Sequence, residues 1–149
     1  MEINGIAHIV LTVIRFEICS VFYTKVLSYM GLKEVFRGKD NLYYVGGKTA
    51  VAISRCHEPY KNDLFIQNRI GLHHLCFRAK LREDIDNFYS YLKSIDAKII
   101  QPPQDGPWAP GYYSVLFECP DGIRLELNHI PGTGILEKGK EFNPSTDYC

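Results

Sequence analysis

The chain carries an internal duplication, and this constrains its fold more than any other feature. His8-Ile9-Val10-Leu11-Thr12-Val13 has a counterpart 66 positions later in His74-Leu75-Cys76-Phe77-Arg78-Ala79. Phe22-Tyr23-Thr24-Lys25-Val26-Leu27 has one at the same offset in Phe88-Tyr89-Ser90-Tyr91-Leu92-Lys93. Two matches at one spacing indicate two copies of one supersecondary unit. In the second copy Ile85, Phe88, Leu92 and Ile95 make one apolar stripe, which predicts a helix of about 14 residues. Glu83 and Asp84 fall in its first turn, where the helix dipole favours carboxylates. In the first copy Ile18, Phe22, Val26 and Met30 give the matching stripe, and Gly31 ends it. Strand-like segments follow at 33–37, 42–46 and 49–54, and again at 97–101, 112–119 and 123–129. Gly46-Gly47 and Pro120-Asp121-Gly122 supply turns. The fold class expected is α+β: two βαβββ modules in one chain, forming a curved mixed sheet with helices outside and a concave metal or ligand cleft inside.

One domain is expected over 1–149, with module 1 at about 3–55, a polar linker at about 56–70, module 2 at about 71–130 and a polar tail at 131–149. Pro102, Pro103, Pro107 and Pro110 make 101–111 an expected irregular, stiff loop. A 46% hydrophobic and 13% aromatic composition can build a core. Seventeen basic residues balance seventeen acidic ones, which argues against a nucleic-acid binder working through phosphate contacts. No apolar run approaches the ~18 residues of a membrane helix, and no secretory signal is expected. Five cysteines without a C-x-x-C pair point away from a disulfide framework and towards a reducing, cytoplasmic setting. Cys76 and Cys119, inside apolar runs, read as buried thiols.

The two-residue period of a strand then assigns faces. Ile9, Leu11 and Val13 suit the helix side, as do Leu75, Phe77 and Ala79, and Ile123, Leu125 and Leu127. His8, Val10 and Thr12, with His74, Cys76 and Arg78, and Arg124, Glu126 and Asn128, take the opposite face. His73 falls on the helix side by alternation and reads as structural. His8, His74 and Glu126 thus share the cleft face. Two imidazoles and a carboxylate turned inwards are costly unless satisfied, and a divalent cation satisfies all three. Taken singly, each has a plainer reading as a hydrogen-bonded histidine or a surface charge. Arg124 is a candidate partner for an anionic substrate. Trp108 and Tyr113 are candidates for the pocket mouth, or for packing the loop onto the core.

Gly5-Ile6-Ala7-His8-Ile9, Phe22-Tyr23, Gly71-Leu72-His73-His74-Leu75 and Pro120-Asp121-Gly122-Ile123-Arg124-Leu125-Glu126-Leu127 carry a family resemblance. Residues 3–130 resemble the vicinal oxygen chelate superfamily, which includes glyoxalase I, bleomycin- and fosfomycin-resistance proteins, methylmalonyl-CoA epimerase and extradiol dioxygenases. The resemblance implies His8, His74 and Glu126 as metal ligands, one divalent ion (Fe, Mn, Ni, Co or Zn), a small-molecule substrate and a homodimer. It implies a lyase or isomerase, a ring-cleaving dioxygenase or an antibiotic-modifying transferase, with its catalytic acid–base residues unassigned. The alternative is a metal-free sequestration protein of the bleomycin-resistance kind. Where glyoxalase I carries a fourth ligand, this chain has Ala52.

Overall fold

The computed structural model describes residues 1–132, so the expected polar tail lies, from residue 133, outside the described residues. The elements are β1 (His8–Val13), α1 (Phe16–Tyr29), β2 (Lys33–Arg37), β3 (Asn41–Gly46), β4 (Thr49–Arg55), a single 3-10 turn at Glu58–Tyr60, β5 (Leu75–Arg78), α2 (Arg82–Ser94), β6 (Lys98–Asp105), β7 (Tyr113–Glu118) and β8 (Arg124–His129). They divide into two compact units. Among the described residues, one is Met1–Phe65 with Cys119–Gly122, and the other is Ile66–Glu118 with 123–132. Each unit holds its own four-stranded mixed sheet, ordered β1-β4-β3-β2 in the first and β5-β8-β7-β6 in the second. In both, the first and last strands pair in parallel and the other pairs are antiparallel. A parallel pair cannot close through a hairpin, so the chain crosses over through the helix and two further strands before returning.

The register makes the duplication concrete. Val10, two residues after His8, lies opposite Ala52, and Cys76, two residues after His74, lies opposite Glu126. Ala52 therefore holds in the first sheet the place that Glu126 holds in the second. Alternation also holds on β1, where Leu11 and Val13 are buried while His8, Val10 and Thr12 are exposed.

Helix α2 buries Ile85, Phe88 and Leu92. Its first turn is held by the Asp84 carboxylate, which accepts the Leu81 backbone N–H at 2.9 Å, half of a capping box. Helix α1 is rotated relative to the stripe expected for it. Phe16, Cys19, Tyr23, Val26 and Leu27 form the buried face with Phe22, and Ile18 is 55% exposed. The sulfur of Cys19 and the ring of Tyr23 supply the apolar surface that the aliphatic spacing alone had placed at Ile18. Both helices end in the same way. The Leu32 N–H reaches the Leu27 carbonyl at 2.9 Å and the Gly31 N–H reaches that of Ser28 at 3.0 Å, while Ala97 and Asp96 do the same towards Leu92 and Lys93. These are Schellman motifs, which need a left-handed residue after the cap. Gly31 meets that need at φ 83°, but in the second unit Asp96 does so at φ 54°. A side chain there costs energy that glycine avoids. Asp96→Gly is expected to raise stability by about 1 kcal/mol, read as a higher urea midpoint with an unchanged slope.

The expectation that 101–111 is irregular throughout is corrected by β6, which runs through Pro102 and Pro103 to Asp105. It lies at the sheet edge, and its register against β7 shifts between Ile99 and Gln101 and again between Gln101 and Gln104. An edge strand with bulges tolerates residues that donate no hydrogen bond. Cys119 is buried as expected, whereas Cys76 is exposed. No helix among the described residues is long and apolar enough to cross a membrane.

The turn after β7 has a second task. Asp121 accepts the backbone N–H groups of Ile14 at 2.6 Å and Arg15 at 3.0 Å, and the Arg15 Nε at 2.8 Å. Arg15 is the N-cap of α1 and makes no side-chain cap of its own. A carboxylate remote in sequence therefore holds the entry to this helix through the N-cap N–H and the one before it, next to the positive end of the dipole.

Candidate functional site

The second unit gathers a buried polar cluster on the face of its sheet away from α2. Glu126 faces that way because Leu125 and Leu127, its neighbours on β8, are buried in the apolar core. Its side chain is only 7% exposed. His74 Nε2 lies 3.2 Å from Glu126 Oε2, and the Tyr112 hydroxyl donates to Oε1. Burial pushes the Glu126 carboxyl upward, but the hydrogen bonds from His74 and Tyr112 outweigh it and hold it below the usual glutamate range. The same burial, with the neighbouring carboxylate, pushes the Tyr112 phenol well above its usual value. This pair is thus an anionic carboxylate and a neutral phenol at neutral pH.

Tyr112 is placed by the loop before β7. Its N–H donates to the Ala109 carbonyl at 3.0 Å, and its own carbonyl accepts the Gly106 N–H at 3.0 Å. Its ring packs on that of Trp108 at 5.0 Å. A Cβ on Gly106 would come within 2.4 Å of the Trp108 ring, so glycine is what allows this close approach.

His74 is held from its other side as well. Its Nδ1 lies 2.7 Å from Nδ1 of His73, and Gln67 Nε2 lies 2.8 Å from His73 Nε2. Alternation would send His73 and His74 to opposite faces, but β5 begins only at Leu75, and the two residues before it are free of the strand's period.

Of the residues singled out from sequence, His74 and Glu126 are brought together. His8 lies in the first unit, exposed at the start of β1, with its ring 6.4 Å from that of Tyr43. Arg124 shares the face of Glu126, and its guanidinium is engaged by Glu118 at 3.1 Å. Lys98 binds the same carboxylate at 2.7 Å. Trp108 touches the cluster through Tyr112. Tyr113 is turned to the helix side, where its hydroxyl donates to Asp86 at 2.7 Å and Arg82 stacks 3.6 Å over its ring. The tyrosine that reaches Glu126 is its neighbour, Tyr112, which the sequence placed at the head of the strand expected over 112–119 and not at the site, whereas the strand begins at Tyr113. Gln67 was missed because it lies in the segment read as a polar linker.

The donor chemistry of His74 and Glu126 fits a divalent cation. Two ligand atoms at about 2.1 Å from one ion, subtending a tetrahedral or octahedral angle, lie about 3.0–3.4 Å apart. The His74–Glu126 separation of 3.2 Å falls inside that range. Among the described residues no group of three or more His, Cys, Asp or Glu side chains is placed to hold a metal ion, so this unit alone offers two such donors.

Comparison with known proteins agrees with this architecture. The family model described as the Glyoxalase/Bleomycin resistance protein/Dioxygenase superfamily matches residues 5–127. An uncharacterized Bacillus subtilis (strain 168) protein, YqjT, is 27% identical over 122 residues, spanning 80% of this chain and 94% of that protein. Among solved structures, a glyoxylase/bleomycin resistance protein/dioxygenase domain from Frankia sp. EAN1pec is 27% identical with a TM-score of 0.69, covering 86% of this chain and 98% of that one. The lactoylglutathione lyase of Agrobacterium tumefaciens shares the fold at 18% identity and a TM-score of 0.64, covering 87% and 96%.

Proposed function

Because this chain belongs to the Glyoxalase/Bleomycin resistance protein/Dioxygenase superfamily, we propose that it is a divalent-metal-dependent enzyme acting on a small, oxygen-rich substrate. The observation that carries this reading is the His74–Glu126 pair, set 3.2 Å apart on a buried, anionic carboxylate. In this reading His74 and Glu126 are ligands, and the family resemblance adds a His8, from this chain or from a second copy, as the third. A cation bound there supplies Lewis acidity towards neighbouring substrate oxygens. Tyr112 fixes one carboxylate oxygen and so aims the other. Trp108 buttresses Tyr112. The sheet face beside Glu126 presents Cys76, opposite Glu126 in register, and Asn128, opposite Arg78, as contacts for a bound molecule. Lyase, isomerase, dioxygenase and transferase chemistry all suit such a centre, and we propose a cytoplasmic homodimer as its setting.

A second reading has its own observation. The Glu126 carboxylate already receives hydrogen bonds from protein groups on both oxygens, which a metal-free ligand-sequestering protein also requires. Metal analysis separates the two. Protein purified without chelators is expected to hold about one divalent ion per chain, and His8→Ala to lose most of it, measured by plasma mass spectrometry. Metal-free protein that still binds its small molecule in EDTA would replace the enzyme reading with sequestration.

A further inference from the structure

The hydrogen bonds around His74 run in one direction. With His74 as a neutral imidazole, the Nε2 that faces Glu126 Oε2 at 3.2 Å carries the proton and Nδ1 presents a lone pair. Across the 2.7 Å gap, Nδ1 of His73 must then be the donor. That leaves a lone pair on Nε2 of His73, and the Gln67 amide nitrogen stands nearer to it, at 2.8 Å, than to Nδ1, at 3.2 Å. The chain of donors runs Gln67, His73, His74, Glu126. The two imidazoles are steeply inclined, 72° apart with centroids at 5.0 Å, so they meet through a nitrogen and not by stacking.

We propose that His73 is a positioning residue: it fixes the ring orientation and tautomer of His74, and Gln67 fixes His73 in turn. The inference rests on the reading of His74 as a metal ligand. When His74 Nε2 gives its lone pair to an ion, its proton must sit on Nδ1. The same contact then works in reverse, with His73 Nδ1 accepting. An imidazole serves both directions at one atom by exchanging tautomers. An asparagine amide does so by turning over. A phenylalanine ring fills similar space and does neither.

The test compares His73→Phe, His73→Asn and Gln67→Leu with the wild type. Long-range nitrogen–proton NMR of the metal-free proteins reads the tautomer of His74. Titration with cobalt(II) against a competing chelator reads affinity. Wild type and His73→Asn are expected to show one Nε2–H tautomer, and His73→Phe a mixture. His73→Phe is expected to weaken cobalt binding about 10- to 100-fold, with His73→Asn recovering most of the loss and Gln67→Leu intermediate. A His73→Phe protein with the wild-type tautomer and cobalt affinity within about twofold of wild type overturns the proposal. If wild type binds no cobalt, the ligand reading fails, and the tautomer measurement alone decides whether His73 positions His74. Should His73→Phe not fold, Gln67→Leu and His73→Asn carry the same comparison.

Discussion

Glu126→Ala is expected to lower divalent-metal affinity by about 100-fold or more, since loss of an outer partner alone costs 10- to 100-fold. It removes a ligand in the proposed site and the acceptor for two neighbours. The buried Tyr112 hydroxyl and His74 Nε2 lose their partner together, and leaving a buried donor unpaired costs about 1–3 kcal/mol. Alanine is therefore expected to lose both binding and stability. Glu126→Gln separates the effects. Its amide oxygen still accepts from Tyr112 while its NH2 faces His74 Nε2, so it is expected to lose less stability than alanine does, while metal binding collapses with the charge. Isothermal titration with zinc or manganese, beside urea unfolding of both variants, reads the two quantities. Equal metal affinity in Glu126→Gln and wild type would remove Glu126 from the ligand set.

Asp121→Ala is expected to destabilise the fold by about 2 kcal/mol. The carboxylate accepts the N–H of the α1 N-cap, Arg15, and that of Ile14 before it, and pairs with the Arg15 side chain, and its own side chain is only 7% exposed. The effect has a sign in pH. Burial pushes the Asp121 carboxyl up, but the hydrogen bonds from Arg15 and Ile14 outweigh it and leave it below the ordinary aspartate value. A carboxyl depressed in the folded state adds stability above its unfolded pKa of about 3.9, and loses it as pH falls through the folded value. The advantage of wild type over Asp121→Asn is therefore expected in full at neutral pH and to shrink below about pH 4. Urea melts of both proteins across the acid range measure this. A gap independent of pH would mean that the cap works without its charge.

Much of this fold was legible because duplication checks itself. Strand positions in one half test those in the other, and β2, β3 and β4 fall within a residue of their expected limits. The face of α1 was harder to read, since its inward side is carried by Cys19 and Tyr23 beside the aliphatic residues. The extent of β6 was hidden by prolines, whose cost depends on lying in an interior or an edge strand, a property of the sheet and not of the segment. At the site, Glu126 announced itself through alternation along β8. Tyr112, His73 and Gln67 did not: Tyr112 opened an expected strand that in fact begins one residue later, alternation sent His73 to the helix side although β5 begins only at Leu75, and Gln67 fell in the expected linker. The cap on α1 was beyond local reading: Asp121 and Arg15 are separated by 106 positions, and a turn signal says nothing of which distant helix it serves.

The shared register of the two sheets has a consequence for how such a protein can change. Ala52 and Glu126 hold matching points of the pairing scheme, and a strand is knitted to its neighbours by main-chain groups that are alike in every residue but proline. A carboxylate can be deleted from one half, or restored to it, with the weave left intact. The number of donors offered to a guest is then set side chain by side chain, while the scaffold stays indifferent to the count.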